Sequence, residues 1–202
     1  MSKLRQKKIF PKLIFAVIAV FFFIASYYLG NQYAHPSIKD ISATVLPQPE
    51  KTQAFHLTDK NGNPFTARSF ENFWNFVIIG NLRDAGCDNL LRLYVMAWNN
   101  LAHKPKLQKA TRVVFIDAGH LENKPEKLKQ AIEFYNPVFT AAFGKPEEIQ
   151  ILGQQVGLYT EADSCSLASS VVALVNPDGY LLALFTGATD PARIARDLQY
   201  FY

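Results

Sequence analysis

The sequence predicts an α/β sandwich, a central mixed sheet flanked by helices with an extra N-terminal β-hairpin, carried behind one N-terminal membrane-spanning helix. Three features predict it. An uncharged apolar run, Leu13 to Gly30, follows a basic head. Two short apolar runs, Phe76 to Gly80 and Arg112 to Asp117, each lead into a helical pattern of apolar residues, as buried parallel strands with crossover helices do. Near the C-terminus, two further runs flank Pro177-Asp178-Gly179, a turn sequence that joins antiparallel strands.

The run from Leu13 to Gly30 has about the 18 to 20 residues that cross a bilayer core as a helix. Lys3, Arg5, Lys7, Lys8 and Lys12 precede it and should keep residues 1–12 cytoplasmic, while Tyr27 and Tyr28 are placed as interfacial anchors. Retention as an anchor at 13–30 is expected over cleavage as a signal peptide, because Ser26-Tyr27-Tyr28 is a poor small-residue cleavage site. The domain is then expected outside the cytoplasm, in the periplasm of a single-pass inner-membrane protein if the source is bacterial. The formal charge of +4 comes from that basic head, and the rest is near neutral. Basic tracts with interleaved aromatics are absent, so no nucleic-acid partner is expected.

Residues 31–53, with Pro36, Pro47 and Pro49 and no sustained period, read as a linker to a domain over 54–202. Phe55-His56-Leu57 and Pro64-Phe65-Thr66 flank a turn-rich segment and predict a hairpin, followed by a helical turn over Ala67 to Asn72. After the first central strand, Leu90, Leu91, Tyr94, Met96, Ala97 and Leu101 mark a buried helix face, with Asp88 read as its N-cap. A strand over Arg112 to Asp117 and its crossover helix over Pro125 to Tyr135, with Leu128, Ile132 and Phe134 as its apolar face, continue into Phe139 to Gly144 as βαβ structure. A helix over Pro146 to Val156, strands over Ser170 to Val175 and Tyr180 to Phe185, and a helix over Asp190 to Tyr200 complete the chain. That order is the one expected of a thioredoxin-like sandwich.

The segments Phe55 to Gly62, Phe76 to Leu93, Lys124 to Leu128, Gly144 to Ile149 and Val171 to Tyr180 carry a more specific likeness. Together they resemble the Sco/SenC family, thioredoxin-fold copper chaperones of cytochrome c oxidase assembly. The resemblance implies a Cys-x-x-x-Cys pair after the first central strand and a His before the Pro-Asp-Gly hairpin, forming a two-sulfur, one-nitrogen copper site. At those positions this chain has Asp84, Asp88 and Ala168. Two hard carboxylates and a methyl group cannot reproduce a site for a soft ion.

Cys87 and Cys165 are the only cysteines, and the thioredoxin-like topology brings both to the carboxyl edge of the sheet, where ligand sites of open α/β sheets collect. Three readings of the pair stand side by side: a disulfide made in an oxidising compartment, a displaced copper site of Cys87, Cys165 and His120, and two unpaired thiols without chemistry. Asp84 and Asp88 admit a paired-carboxylate reading, but helix capping accounts for them. With no Gly-x-Ser-x-Gly elbow and no phosphate-binding glycine loop, no catalytic residue and no enzymatic activity are expected. The expectation is a membrane-anchored accessory or docking module without a cofactor, with oxidase subunits or assembly factors as partners. Its rival is a working copper chaperone or thiol-redox factor using Cys87 and Cys165.

Overall fold

The computed structural model describes residues 9–33, 41–119, 125–158, 165 and 170–202. They form two units, Met1–Asp40 and Ile41–Tyr202. In the first, helix α1 spans Ile9–Tyr33, 25 residues without an acidic residue in its first turn or a basic one in its last. Among the described residues no helix is long and apolar enough to cross a membrane.

The second unit runs β1 (Thr44–Lys51), β2 (Leu57–Asp59), β3 (Pro64–Phe65), a 3₁₀ turn (Ala67–Phe70), β4 (Trp74–Gly80), α2 (Ala85–Asn99), α3 (Pro105–Lys109), β5 (Thr111–Asp117), α4 (Pro125–Tyr135), β6 (Thr140–Phe143), α5 (Pro146–Gln155), β7 (Val171–Val175), β8 (Tyr180–Thr186) and α6 (Pro191–Phe201). The eight strands make one sheet in the order β1-β8-β7-β4-β5-β6-β2-β3. It is mixed: β4, β5 and β6 are parallel neighbours, and the other pairings are antiparallel.

Every residue of β4 is buried, because both faces of the sheet are covered. Alternate residues divide between two cores. Phe76, Ile78, Val113, Phe115, Val172 and Leu174 pack against α2, α3, α4 and α6. Val77, Ile79, Val114, Ile116, Ala173 and Val175 pack against α5 and the β2–β3 hairpin. On that second face Phe55, Phe65 and Phe70 form a ring cluster with centroids 5.5–6.0 Å apart, a geometry that adds to simple burial.

Two sequence expectations need correction. Residues 31–53 are not a tether throughout, since 44–51 form β1 on the edge of the sheet, paired with β8. Pro47 and Pro49 hid it, yet an edge strand needs donors on one side only, and the register shift between Val45 and Glu50 accommodates them. Ser42 fixes the entry to the domain, donating from its N–H (2.8 Å) and hydroxyl to the buried Asp197 carboxylate of α6. The second correction is at the helices: in α2, Asp84 is the N-cap and Asp88 lies inside the first turn, while Met96 of α2 and Phe134 of α4, read with the buried faces, are exposed, Phe134 lying under the Arg92 guanidinium. Helix α3, absent from the sequence reading, is held by a reciprocal bond pair, Trp98 Nε1 to the Gln108 carbonyl and Gln108 Nε2 to the Trp98 carbonyl, each 3.0 Å.

Candidate site at the carboxyl edge of the sheet

The site grows from the end of β4. Gly80 is its last residue, and the chain turns through Asn81, whose Oδ1 accepts from Arg83 N (2.9 Å) and whose carbonyl accepts from Asp84 N (2.9 Å). The adjacent end of β5 braces this turn. Ala118 N donates to Gly80 O at 2.8 Å, and the buried Asp117 carboxylate accepts from Leu82 N at 3.3 Å. Because β7 runs antiparallel to β4, with Asn75 opposite Val175, the segment leading into β7 arrives at this same edge.

Cys165, in that segment, is joined to Cys87 by a disulfide with the Cα atoms 4.7 Å apart. Of the three readings, the structure shows the disulfide. Cys87 has no exposed surface, whereas Cys165 is partly exposed. Two glycines make room for the bond. A Cβ at Gly80 would lie 2.6 Å from both sulfurs, and one at Gly86 would overlap the Cys165 carbonyl oxygen.

Asp84 and Asp88 differ in role. Asp84 Oδ1 accepts from Gly86 N (2.8 Å), Cys87 N (3.1 Å) and Cys165 N (3.3 Å), so it caps α2 and fastens the crossing segment to it. Asp88 accepts from Arg92 Nε (2.9 Å) and from the Tyr135 hydroxyl of α4 (2.6 Å). The Arg92 bond, then the Tyr135 bond, hold its carboxyl below the ordinary value. Burial, with Asp88 beside it, pushes the Tyr135 hydroxyl up to about 12. Arg92 also lies over the rings of Phe134 and Tyr135, 5.9 and 5.8 Å from their centroids. The carboxylates are thus engaged separately.

His120 and Ala168 lie outside the described residues. Among the described residues no three His, Cys, Asp or Glu side chains gather as a metal set. The donor chemistry also argues against copper here: both sulfurs are spent in one covalent bond, and the nearby oxygens are hard ligands already used as hydrogen-bond acceptors. Asp117, Arg92 and Tyr135 were not singled out from sequence. Asp117 had a signal, the last residue of a strand run level with Gly80; Tyr135, 47 residues from Asp88, had none.

The fold has close relatives among solved structures. Arabidopsis thaliana ScoI with copper bound matches with a TM-score of 0.63 at 18% identity, over 74% of this chain and 96% of that one. BsSco, described as having a disulfide switch and as a member of the Sco family of cytochrome c oxidase assembly proteins, matches with a TM-score of 0.59 at 16% identity, over 78% and 96%. The thioredoxin domain of a thiol-disulfide oxidoreductase from Bacteroides vulgatus matches with a TM-score of 0.53 at 15% identity, over 77% and 98%. These likenesses establish a thioredoxin-like fold. A comparison with curated proteins found no match. Residues 43–202 match the family model described as SCO1/SenC, which spans the whole sheet from β1 to α6. The chain belongs to the SCO1/SenC family.

Proposed function

We propose that this chain is a membrane-anchored member of its family that serves cytochrome c oxidase assembly as a docking or accessory module and carries no copper. One observation supports this reading above the others: the only two thiols are consumed in the Cys87–Cys165 disulfide, beside carboxylates bound to the protein itself. What is retained is the family frame. Fold does not transfer activity once the site residues have changed, so the copper held by the Arabidopsis relative is not carried over.

Copper loading tests the reading. Full-length protein, purified unreduced in detergent, incubated with Cu(I) or Cu(II) and desalted, is expected to retain no stoichiometric metal. Retention that Cys87→Ser abolishes would overturn it and favour the displaced copper site. The assembly role is tested by deleting the gene in its host, where oxidase activity that stays unchanged would sink it.

The anchoring and placement are proposed on the uncharged run Leu13 to Gly30 and its basic head, with the domain outside the cytoplasm. Alkaline carbonate should leave the protein in the membrane pellet. Release of a shortened chain would show a cleaved signal instead.

A further inference from the structure

At the first of the family's two sulfur positions, Asp84 sits within hydrogen-bond distance of both halves of the disulfide's backbone, the Cys87 N–H at 3.1 Å and the Cys165 N–H at 3.3 Å. Cys87 is the third residue of α2. The first turn of a helix is where free N–H groups and the helix dipole normally stabilise a thiolate and make a cysteine exchangeable. Here a carboxylate already occupies those N–H groups. Reduction would set a thiolate beside that negative charge, at a sulfur with no exposed surface to hydrate it.

The surroundings are shaped for the closed form. Gly80 leaves space for both sulfurs, and Gly86 lets the Cys165 carbonyl cross directly over the first turn of α2. Opening the bond would leave the Cys165 backbone N–H to Asp84 hydrogen bond without the covalent attachment beside it.

We propose that Asp84 is a positioning residue that locks the Cys87–Cys165 pair closed, making it a permanent cross-link and not a thiol-exchange site. The inference stands independently of the oxidase reading. The reaction it opposes is reduction by a small thiol such as glutathione. A glutathione thiolate attacks Cys165 Sγ, the sulfur of the partly exposed cysteine, and the S–S electron pair leaves on Cys87 Sγ, which then takes a proton. A second glutathione thiolate attacks the mixed disulfide at its glutathione sulfur, releasing Cys165 as a thiol and forming oxidised glutathione. The Asp84 charge opposes an ionised Cys87, so it makes Cys87 the poorer leaving group and, at a pH where reduced Cys87 would ionise, the reduced pair the poorer product.

The test, run at a pH of about 10 where an ordinary thiol is ionised, is the equilibrium constant of the full-length protein with reduced and oxidised glutathione, read by alkylating free thiols and weighing the products. Asp84→Asn removes the charge but keeps an oxygen that caps a helix equally well. It should shift the equilibrium at least tenfold toward the dithiol, about 30 mV for a two-electron couple, with the melting temperature of the oxidised protein unchanged. Asp84→Ser, also neutral and a good cap, should move it in the same direction if the asparagine variant folds poorly. A loss of capping alone would lower the melting temperature without moving the exchange constant. A shift below twofold in both variants, or a wild-type pair already reduced by a small excess of glutathione, would overturn the proposal.

Discussion

Breaking the Cys87–Cys165 bond should cost the domain a large part of its stability. The bond closes a loop of 78 residues, and in the chain-entropy account a cross-link of that span contributes about 4.5 kcal/mol by restricting the unfolded chain. Cys165→Ala is the cleaner perturbation, because Cys165 is partly exposed while Cys87, fully buried, keeps its packing as a free thiol. For a domain of this size each kcal/mol corresponds to roughly 2–4 °C, so the melting temperature should fall by roughly 9–18 °C. Trp74 and Trp98, the only tryptophans, lie in this unit and report its unfolding by fluorescence. Mass measurement without reductant first verifies that the wild-type protein contains the bond. If it does, and the variant melts within about 3 °C of it, the reasoning from unfolded-chain entropy is wrong for this loop.

Gly86→Ala should destabilise despite alanine's helix preference of about 1 kcal/mol, because the new Cβ would overlap backbone, the Cys165 carbonyl oxygen; a melting temperature at or above wild type would refute the crossing geometry. Asp88 should titrate below its ordinary value near 3.8, raised more by Arg92→Gln than by Tyr135→Phe, as read from its carboxyl carbon by NMR. A carboxyl depressed in the folded state contributes stability that is present above its unfolded value of about 3.9 and is lost as pH falls through the folded one. Tyr135→Phe brings the folded value nearer the unfolded one, so its acid limb should be slightly shallower, by a small amount because Asp88 is partly exposed to solvent; an ordinary Asp88 titration in the wild type would refute the network.

The layered fold was legible because its signals are local and periodic. The continuous apolar runs of β4, β5 and β7 follow from covering both faces of the sheet, alternate residues entering opposite cores, and the helix faces of α2 and α4 repeat at the helical period. The candidate site was legible to the extent that topology carries it: strand order alone brings the turn after β4 and the segment before β7 to one edge, hence Cys87 to Cys165. It did not decide whether two sulfurs at one edge bond, since that turns on separations of a few ångströms set by Gly80, Gly86 and the Asp84 clamp. Nor did it decide which aspartate caps α2, because residues four apart fit the start of one helix equally well and only the backbone geometry chooses Asp84. Strand β1 was hidden by prolines that only an edge position tolerates, and an edge exists only once the sheet is assembled. Asp88 meets Tyr135 because α2 and α4 lie side by side on one face, a contact between residues far apart in sequence that only the completed packing creates.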